Sequence, residues 1–368
     1  MKTYTIVSTF PEKGSRNIGD KLITEATKRG IRTVEKEPVR FNAVFREADF
    51  SEVQTEILSS DAIVFACLAL RHNMETVYPY ADEILKMDVP VGVLAAGTKT
   101  RPGQVNENLY GMKASDVQLI KDIAEKSLFF GTRDLLTQDF CEYHDIESAE
   151  FTGDIAFFDE RFQEEKFSAP ESIQRIAVSD PHYSKAYTPP FEYLLDRLKD
   201  QFPQATTEVF IHGKNPRIVD VAKSHGIKVN EIYKEADGLK EYEDIDLHVG
   251  FRLHGHVSAL TRRKPSYLFE QDGRGCGYGL ALERKTSVPC FRYPTKYFWT
   301  WKSALKFLLG LERTPISYSA NHVPKNAVDQ IMAMVIEDSR NGFQRFNEME
   351  EQILQFNERC IRQLNQLV

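Results

Sequence analysis

The sequence predicts an α/β protein with two doubly wound parallel sheets and a helical C-terminal tail. Three observations carry this reading. Strand-like and helix-like patches alternate through the first half of the chain. The same rhythm resumes after the polar stretch Asp159–Ser172. From Phe343 onward, apolar residues recur at intervals of three and four. Strands alternating with helices of about ten residues imply βαβ units, and 368 residues suit about two domains at roughly 100–200 residues each. The expected division is a Rossmann-like domain over 1–160, a second over 173–320, and C-terminal helices over 321–368 that pack across both.

In the first half, Tyr4–Phe10 reads as a strand. Asp20–Arg29 follows as a helix, with Leu22, Ile23 and Ala26 on one face and Asp20 as its N-cap. Asp61–Leu70 is a continuous apolar run, as a strand buried on both faces requires. Glu75–Lys86 has a helical pattern, and Val89–Ala96 is a second buried strand. Helix Ser115–Glu125, the short strand Ser127–Gly131 and helix Asp134–Tyr143 complete the unit.

The second half begins with strand Ile176–Ser179 and helix Phe191–Lys199. Strand Thr207–His212, helix Arg217–His225 and the strand-like Lys228–Ile232 come next. Strand Asp246–Phe251, helix His254–Arg262 and strand Ser266–Phe269 close the series. In the tail, Phe346, Met349, Ile353, Phe356, Cys360, Leu364 and Leu367 form one stripe of a long helix. The stripe covers barely three heptads, so packing across a domain surface is favoured over a coiled-coil partner. The run from Cys290 to Leu308 holds both tryptophans, Trp299 and Trp301, among basic residues. It reads as an aromatic hinge in an interdomain cleft, with a membrane-surface contact as the rival reading.

Composition narrows the function. The net charge of −7 argues against a nucleic-acid partner. It leaves room for an anionic small ligand, because clustered arginines outweigh a global charge locally. The five cysteines, Cys67, Cys141, Cys276, Cys290 and Cys360, are odd in number and lack CxxC spacing. A disulfide framework or a zinc site is therefore not expected. No apolar window approaches the 18 residues of a membrane span, and the N-terminal apolar run is too short for a signal peptide. The expectation is a cytoplasmic protein, with a place at the inner face of the membrane as an extension. The sequence leaves the oligomeric state open.

Ligands of open α/β sheets collect at the carboxyl ends of strands, which directs attention to the residues that follow each one. After the first strand, Gly14, Asn17 and Gly19 lead into a helix start whose free N–H groups attract anions. Asp20 there serves as a base, orients a hydroxyl, or simply caps the helix. Arg133 follows SLFFG and can grip a carboxylate or phosphate with two parallel bonds. The strongest cluster is Phe251–His256, where Arg252 and His254 flank Leu253. With the strand continued that far, both side chains share a face. A fixed cation and a titratable imidazole would then hold an anion and move a proton beside it. His254 with His256 lacks a carboxylate at ligand spacing, so no metal is expected. His212, Lys214 and Asn215 follow another strand, and Arg274 sits in a glycine-rich loop, Gln271–Gly279, that would let backbone N–H groups approach a phosphate. Cys276 has no base beside it and is not a nucleophile candidate.

Four stretches in order, AsnIleGlyAsp (17–20), ThrArgAsp (132–134), GlyAspIleAlaPhe (153–157) and ArgLeuHisGlyHisValSerAla (252–259), resemble the polysaccharide pyruvyl transferase family. The chain departs from the usual pattern at CysLeuAlaLeuArgHis (67–72) and at GlyAspIleAla. The resemblance implies a GT-B-like architecture, with the acceptor on the first domain and the donor on the second. It implies a phosphoenolpyruvate co-substrate, no other cofactor, and a sugar or lipid-linked saccharide bridged by a pyruvate ketal. Arg133 and Arg252 would hold the donor, His254 would act as acid and base, and Asp20 would assist at the acceptor. A glycosyltransferase that uses a nucleotide sugar is the alternative on the same architecture.

Overall fold

The computed structural model describes residues 1–10, 16–98, 112–290, 309 and 325–368. Gly14 and the run 291–308, with Trp299 and Trp301, lie outside the described residues.

The first half forms a parallel sheet from β1 (Thr3–Ser8), β2 (Arg40–Phe45), β3 (Ala62–Ala66), β4 (Ala69–Leu70), β5 (Val91–Thr98), β6 (Phe130–Thr132) and β7 (Ala149–Phe151). The order is β2-β1-β3-β5-β6-β7, with β4 pairing beside β5. The second sheet contains β8 (Arg175–Ser179), β9 (Thr206–Phe210), β10 (Lys228–Asn230), β11 (Leu247–Gly250), β12 (Ser266–Glu270) and β13 (Ser287–Pro289). Its order is β10-β9-β8-β11-β12-β13. In each sheet the direction of winding reverses once, between β1 and β3 and between β8 and β11. A crevice opens at such a reversal, outside the carboxyl ends of the strands. The architecture is two Rossmann-like sheets facing a cleft, the GT-B-like arrangement. Central strands such as Ile63–Phe65 and Ile176–Val178 are fully buried because helices cover both faces of each sheet. Among the described residues, no helix is long and apolar enough to cross a membrane.

Several elements differ from the sequence reading, each for a physical reason. The apolar run to Leu70 is not one strand. Cys67 takes a left-handed conformation, φ 64°, and turns the chain before β4. The helical pattern over Glu75–Lys86 splits into Met74–Val77 and Ala81–Lys86, because Pro79 drives Tyr78 out of helical geometry. The first helix spans Ile18–Val34, and Asn17 rather than Asp20 is its N-cap, accepting from the Gly19 N–H at 2.9 Å. Sequence patterning missed β2, helix Phe50–Leu58, β7 and β13. The glycine-rich stretch is mostly a helix, Gly273–Ala281, capped by Asp272. A Cβ at Gly277 would meet Asp134 at 2.6 Å, and one at Gly275 would meet the Glu270 backbone at 3.0 Å. These glycines let the helix approach its neighbours closely.

The tail binds both halves. Helix Asn326–Arg340 packs on the second sheet, where the Tyr267 hydroxyl donates to Asp338 at 2.7 Å. Helix Met349–Leu364 crosses to the first half, and every residue of the seven-membered apolar stripe is buried. Two glycines receive it. A Cβ at Gly30 would meet Leu364 at 2.7 Å, and one at Gly153 would meet Phe356 at 2.3 Å. Gly153 also has φ +83°, a region disfavoured for side chains. Gly153→Ala should therefore destabilise the protein by about 2–4 kcal/mol, from backbone strain plus overpacking. Urea unfolding checks this, and an unchanged midpoint would refute it.

Candidate active site

The cleft between the sheets holds a cavity of about 320 Å³. A backbone hydrogen bond joins the two halves beside it, from the Ile18 N–H of the first to the His212 carbonyl of the second, at 3.0 Å. The first half contributes Asn17, Asp20, Arg46, Cys67 and Arg133. The second contributes His182, His212, Arg252, Leu253, His254 and Arg274.

Arg252 is fixed at the winding reversal of the second sheet. Asp180 directly follows β8, and Arg252 follows β11 by two residues. The guanidinium forks onto the carboxylate, with Nε to Oδ1 at 2.9 Å and Nη2 to Oδ2 at 2.6 Å. Asp180 is fully buried and also accepts from the His212 N–H at 2.9 Å and from Asn215 Nδ2 at 2.7 Å. The bidentate edge expected to grip a ligand is thus spent on Asp180. Nη1 lies 3.3 Å from His182 Nδ1, so this corner of the guanidinium is the part near the cleft histidines.

Arg133 is built the same way. Nε donates to Asp134 at 3.2 Å, Nη2 to the Thr98 carbonyl at 3.1 Å, and Nη1 reaches Cys67 Sγ at 3.2 Å. Gly97 makes room for it, since a Cβ there would sit 2.3 Å from the guanidinium carbon. Arg274 forks onto Asp272 at 3.0 and 2.7 Å while remaining partly exposed to the cleft. Each arginine is therefore clamped by an acid on its own side. Fixed cations of this kind lose little entropy when an anion arrives.

His254 stands among them. The strand ends at Gly250, so Arg252 is the residue before helix Leu253–Thr261 and His254 lies in its first turn. The shared-face argument from strand alternation is thereby corrected. The two side chains converge because a strand bends into a helix. The His254 Nε2 is buried and has no hydrogen-bond partner. Burial holds this imidazole well below its ordinary range, and Arg133, Arg274, His212 and Arg252 depress it further. Its Nδ1 lies against Gly19, where a Cβ would come within 2.4 Å. The glycine of the AsnIleGlyAsp stretch is thus a contact surface for the histidine.

The remaining candidates fall in outer positions. His212 lines the cleft, and its Nε2 is 2.7 Å from the Tyr242 hydroxyl. Asn215 is buried behind the cleft on Asp180 and the Pro181 carbonyl, and it precedes the helix Pro216–Ser224 without capping it through its side chain. Lys214 is exposed and does not line the cavity. His256 is buried on Ser266, whose hydroxyl also meets His248. Sequence reasoning missed Asp180, His182 and Arg46. The signal for the first two was an acid and a histidine just past strand β8. Arg46 was hidden because β2 was not recognised.

A family model for polysaccharide pyruvyl transferase matches residues 17–273, well over half of the chain. No curated protein sequence matches. Among solved structures, the chain is similar to UDP-GlcNAc 2-epimerase from Neisseria meningitidis bound to UDP-GlcNAc. Identity is 11%, coverage is 92% of this chain and 100% of that one, and the TM-score is 0.45. The Methanocaldococcus jannaschii UDP-GlcNAc 2-epimerase, in complex with UDP-GlcNAc and UDP, gives 12%, 92%, 100% and 0.46. S. aureus MnaA in its UDP co-structure gives 13%, 92%, 96% and 0.46. On the match of the family model across both sheets, the chain belongs to the polysaccharide pyruvyl transferase family.

Proposed function

We propose that the chain transfers a pyruvyl group from phosphoenolpyruvate to two hydroxyls of a sugar in a polysaccharide or its lipid-linked precursor. The single observation that supports this most is His254: a neutral imidazole with an unpartnered buried Nε2, set among Arg133, Arg252 and Arg274. Phosphoenolpyruvate brings a carboxylate and a phosphate, and three clamped guanidiniums suit both. Burial is the larger reason that His254 is neutral and the cationic field the second, and the donor's negative charge offsets that field. The donor therefore recruits a proton to the residue that must use it.

The steps follow from that proton. His254 gives it to the donor's methylene carbon, and the adjacent carbon becomes an oxocarbenium-like centre. A sugar hydroxyl attacks this centre and loses its proton to the now neutral His254 or to Asp20. The carbon–oxygen bond to phosphate then breaks, and phosphate leaves with the electron pair. The second hydroxyl attacks the same carbon and closes the ketal. Of the two hydroxyl protons, one balances the new methyl group and the other leaves on phosphate. The scheme uses phosphoenolpyruvate as co-substrate and places the work on the cytoplasmic side of a membrane.

The binding test is calorimetry with phosphoenolpyruvate in buffers of different ionisation enthalpy. Uptake of about one proton per donor bound is expected near neutral pH, and it should vanish in His254→Gln. Because the bound state carries the extra proton, donor affinity should fall as pH rises through the pKa of His254 in the complex. Binding without proton uptake would remove His254 from this role. Binding of a UDP- or GDP-sugar in place of phosphoenolpyruvate would favour glycosyl transfer. Arg252→Lys keeps the charge but loses the fork on Asp180, so kcat/KM should drop about 10²-fold. Gly19→Ala pushes the His254 ring out of place and should cost about 10²-fold in kcat. Wild-type turnover in either variant would refute its part.

A further inference from the structure

We infer that the junction between the two halves carries a second oxyanion site, shaped for a phosphate group and separate from the cleft. A cavity of about 210 Å³ lies between the first helix, the segment Asp159–Arg161 and the second half. Arg29 projects into its lining from helix Ile18–Val34, and Arg262 from the end of helix Leu253–Thr261. Both have a buried Nε without a hydrogen-bond partner. Arg262 is 5% exposed, and burial lowers its affinity for its own proton. Leaving such donors unmet inside a protein is costly, and two of them on one cavity mark a place for an acceptor.

The neighbouring carboxylates fill that role only in part: Asp159 lies in the field of both guanidiniums, yet neither Nε is hydrogen-bonded. Asp159 is engaged by Arg161 at 2.8 Å, Asp237 by Lys240 at 3.1 Å and Glu25 by Lys28 at 2.8 Å. Glu160 lies 3.5 Å from the Arg29 Nε and Glu243 lies 3.5 Å from Arg262 Nη2, both at the edge of contact. The two guanidiniums come from different walls. A planar carboxylate offers two oxygens in one direction, whereas a phosphate presents oxygens tetrahedrally and can meet both.

Position gives the site a consequence. On one side of the first helix, Asn17, Asp20 and Ile23 line the cleft. On the other, Lys21, Glu25 and Arg29 line this second cavity. A phosphate held between Arg29 and Arg262 therefore ties the helix that forms the cleft rim to the opposite half.

The test is titration of the full chain with inorganic phosphate, followed by calorimetry and ³¹P line broadening, with acetate as a parallel arm. Two phosphate-binding events are expected, one in the cleft and one here. Arg29→Gln, with an unchanged melting temperature in phosphate-free buffer, should weaken one event at least about tenfold and spare the other. Arg252→Lys should affect the other event alone. Arg262→Lys, which keeps the charge at the buried position, is the second variant should Arg29→Gln alter folding, and it should weaken the same event. If the cleft binds no phosphate, the single remaining event should still be the one lost in Arg29→Gln, so failure of the transferase reading is separable. Phosphate binding indifferent to both Arg29→Gln and Arg262→Lys would overturn the proposal. So would acetate binding as tightly as phosphate.

Discussion

The geometry of the cleft depends on one buried carboxylate. Asp180 has no solvent exposure, yet it accepts four hydrogen bonds, two from Arg252, one from the His212 backbone and one from Asn215. These donors follow strands β9 and β11, while Asp180 itself follows β8. One side chain therefore ties together three strand ends at the place where the sheet reverses its winding. A buried charge is tolerable only when paired and fully hydrogen-bonded, and removing one partner of such a pair costs about 3–5 kcal/mol. The same pair orients the helix that begins after Arg252, and with it His254.

The cleft then works by keeping cations and a proton acceptor at close quarters without letting them neutralise one another. Asp180, Asp134 and Asp272 each clamp an arginine from behind. Those acids fix the direction of the guanidiniums, while burial first and the arginines second hold the nearby imidazole well below its ordinary range. The three guanidiniums and the imidazole thus share one cavity, each arginine held by its own acid. Cys67 completes the wall through its left-handed turn, placing Sγ against Arg133. A conformation that costs about 1–2 kcal/mol for a side-chain-bearing residue is retained where a first-half strand meets a cleft arginine.

Much of this was legible in the sequence, because periodicity reports burial. The two rounds of strand and helix, and the apolar stripe from Phe346 to Leu367, required no knowledge of tertiary contacts. Arg133, Arg252 and His254 were readable because each follows a strand of parallel type. What escaped depends on contacts between distant residues. Arg40–Phe45 is an edge strand with only Val44 fully buried, so it lacks a continuous apolar run. Asp180 gave no local signal, because its partners lie 32 to 72 residues away. The glycines from 273 to 279 suggested a loop, although they serve a helix packed against Asp134 and β12. Lys214 was selected for its charge, and no local pattern tells that it faces solvent.

The path of the tail has a mechanical consequence. The chain passes from the first half to the second between Phe151 and Arg175, and returns between Arg340 and Met349. The last helix then seats on the first half, bringing Val368 beside Lys2. The tail therefore acts as a strap laid over a joint that is already packed. Parting the halves would have to unseat the last helix and also break the Tyr278–Asp154 and Ile18–His212 bonds between them.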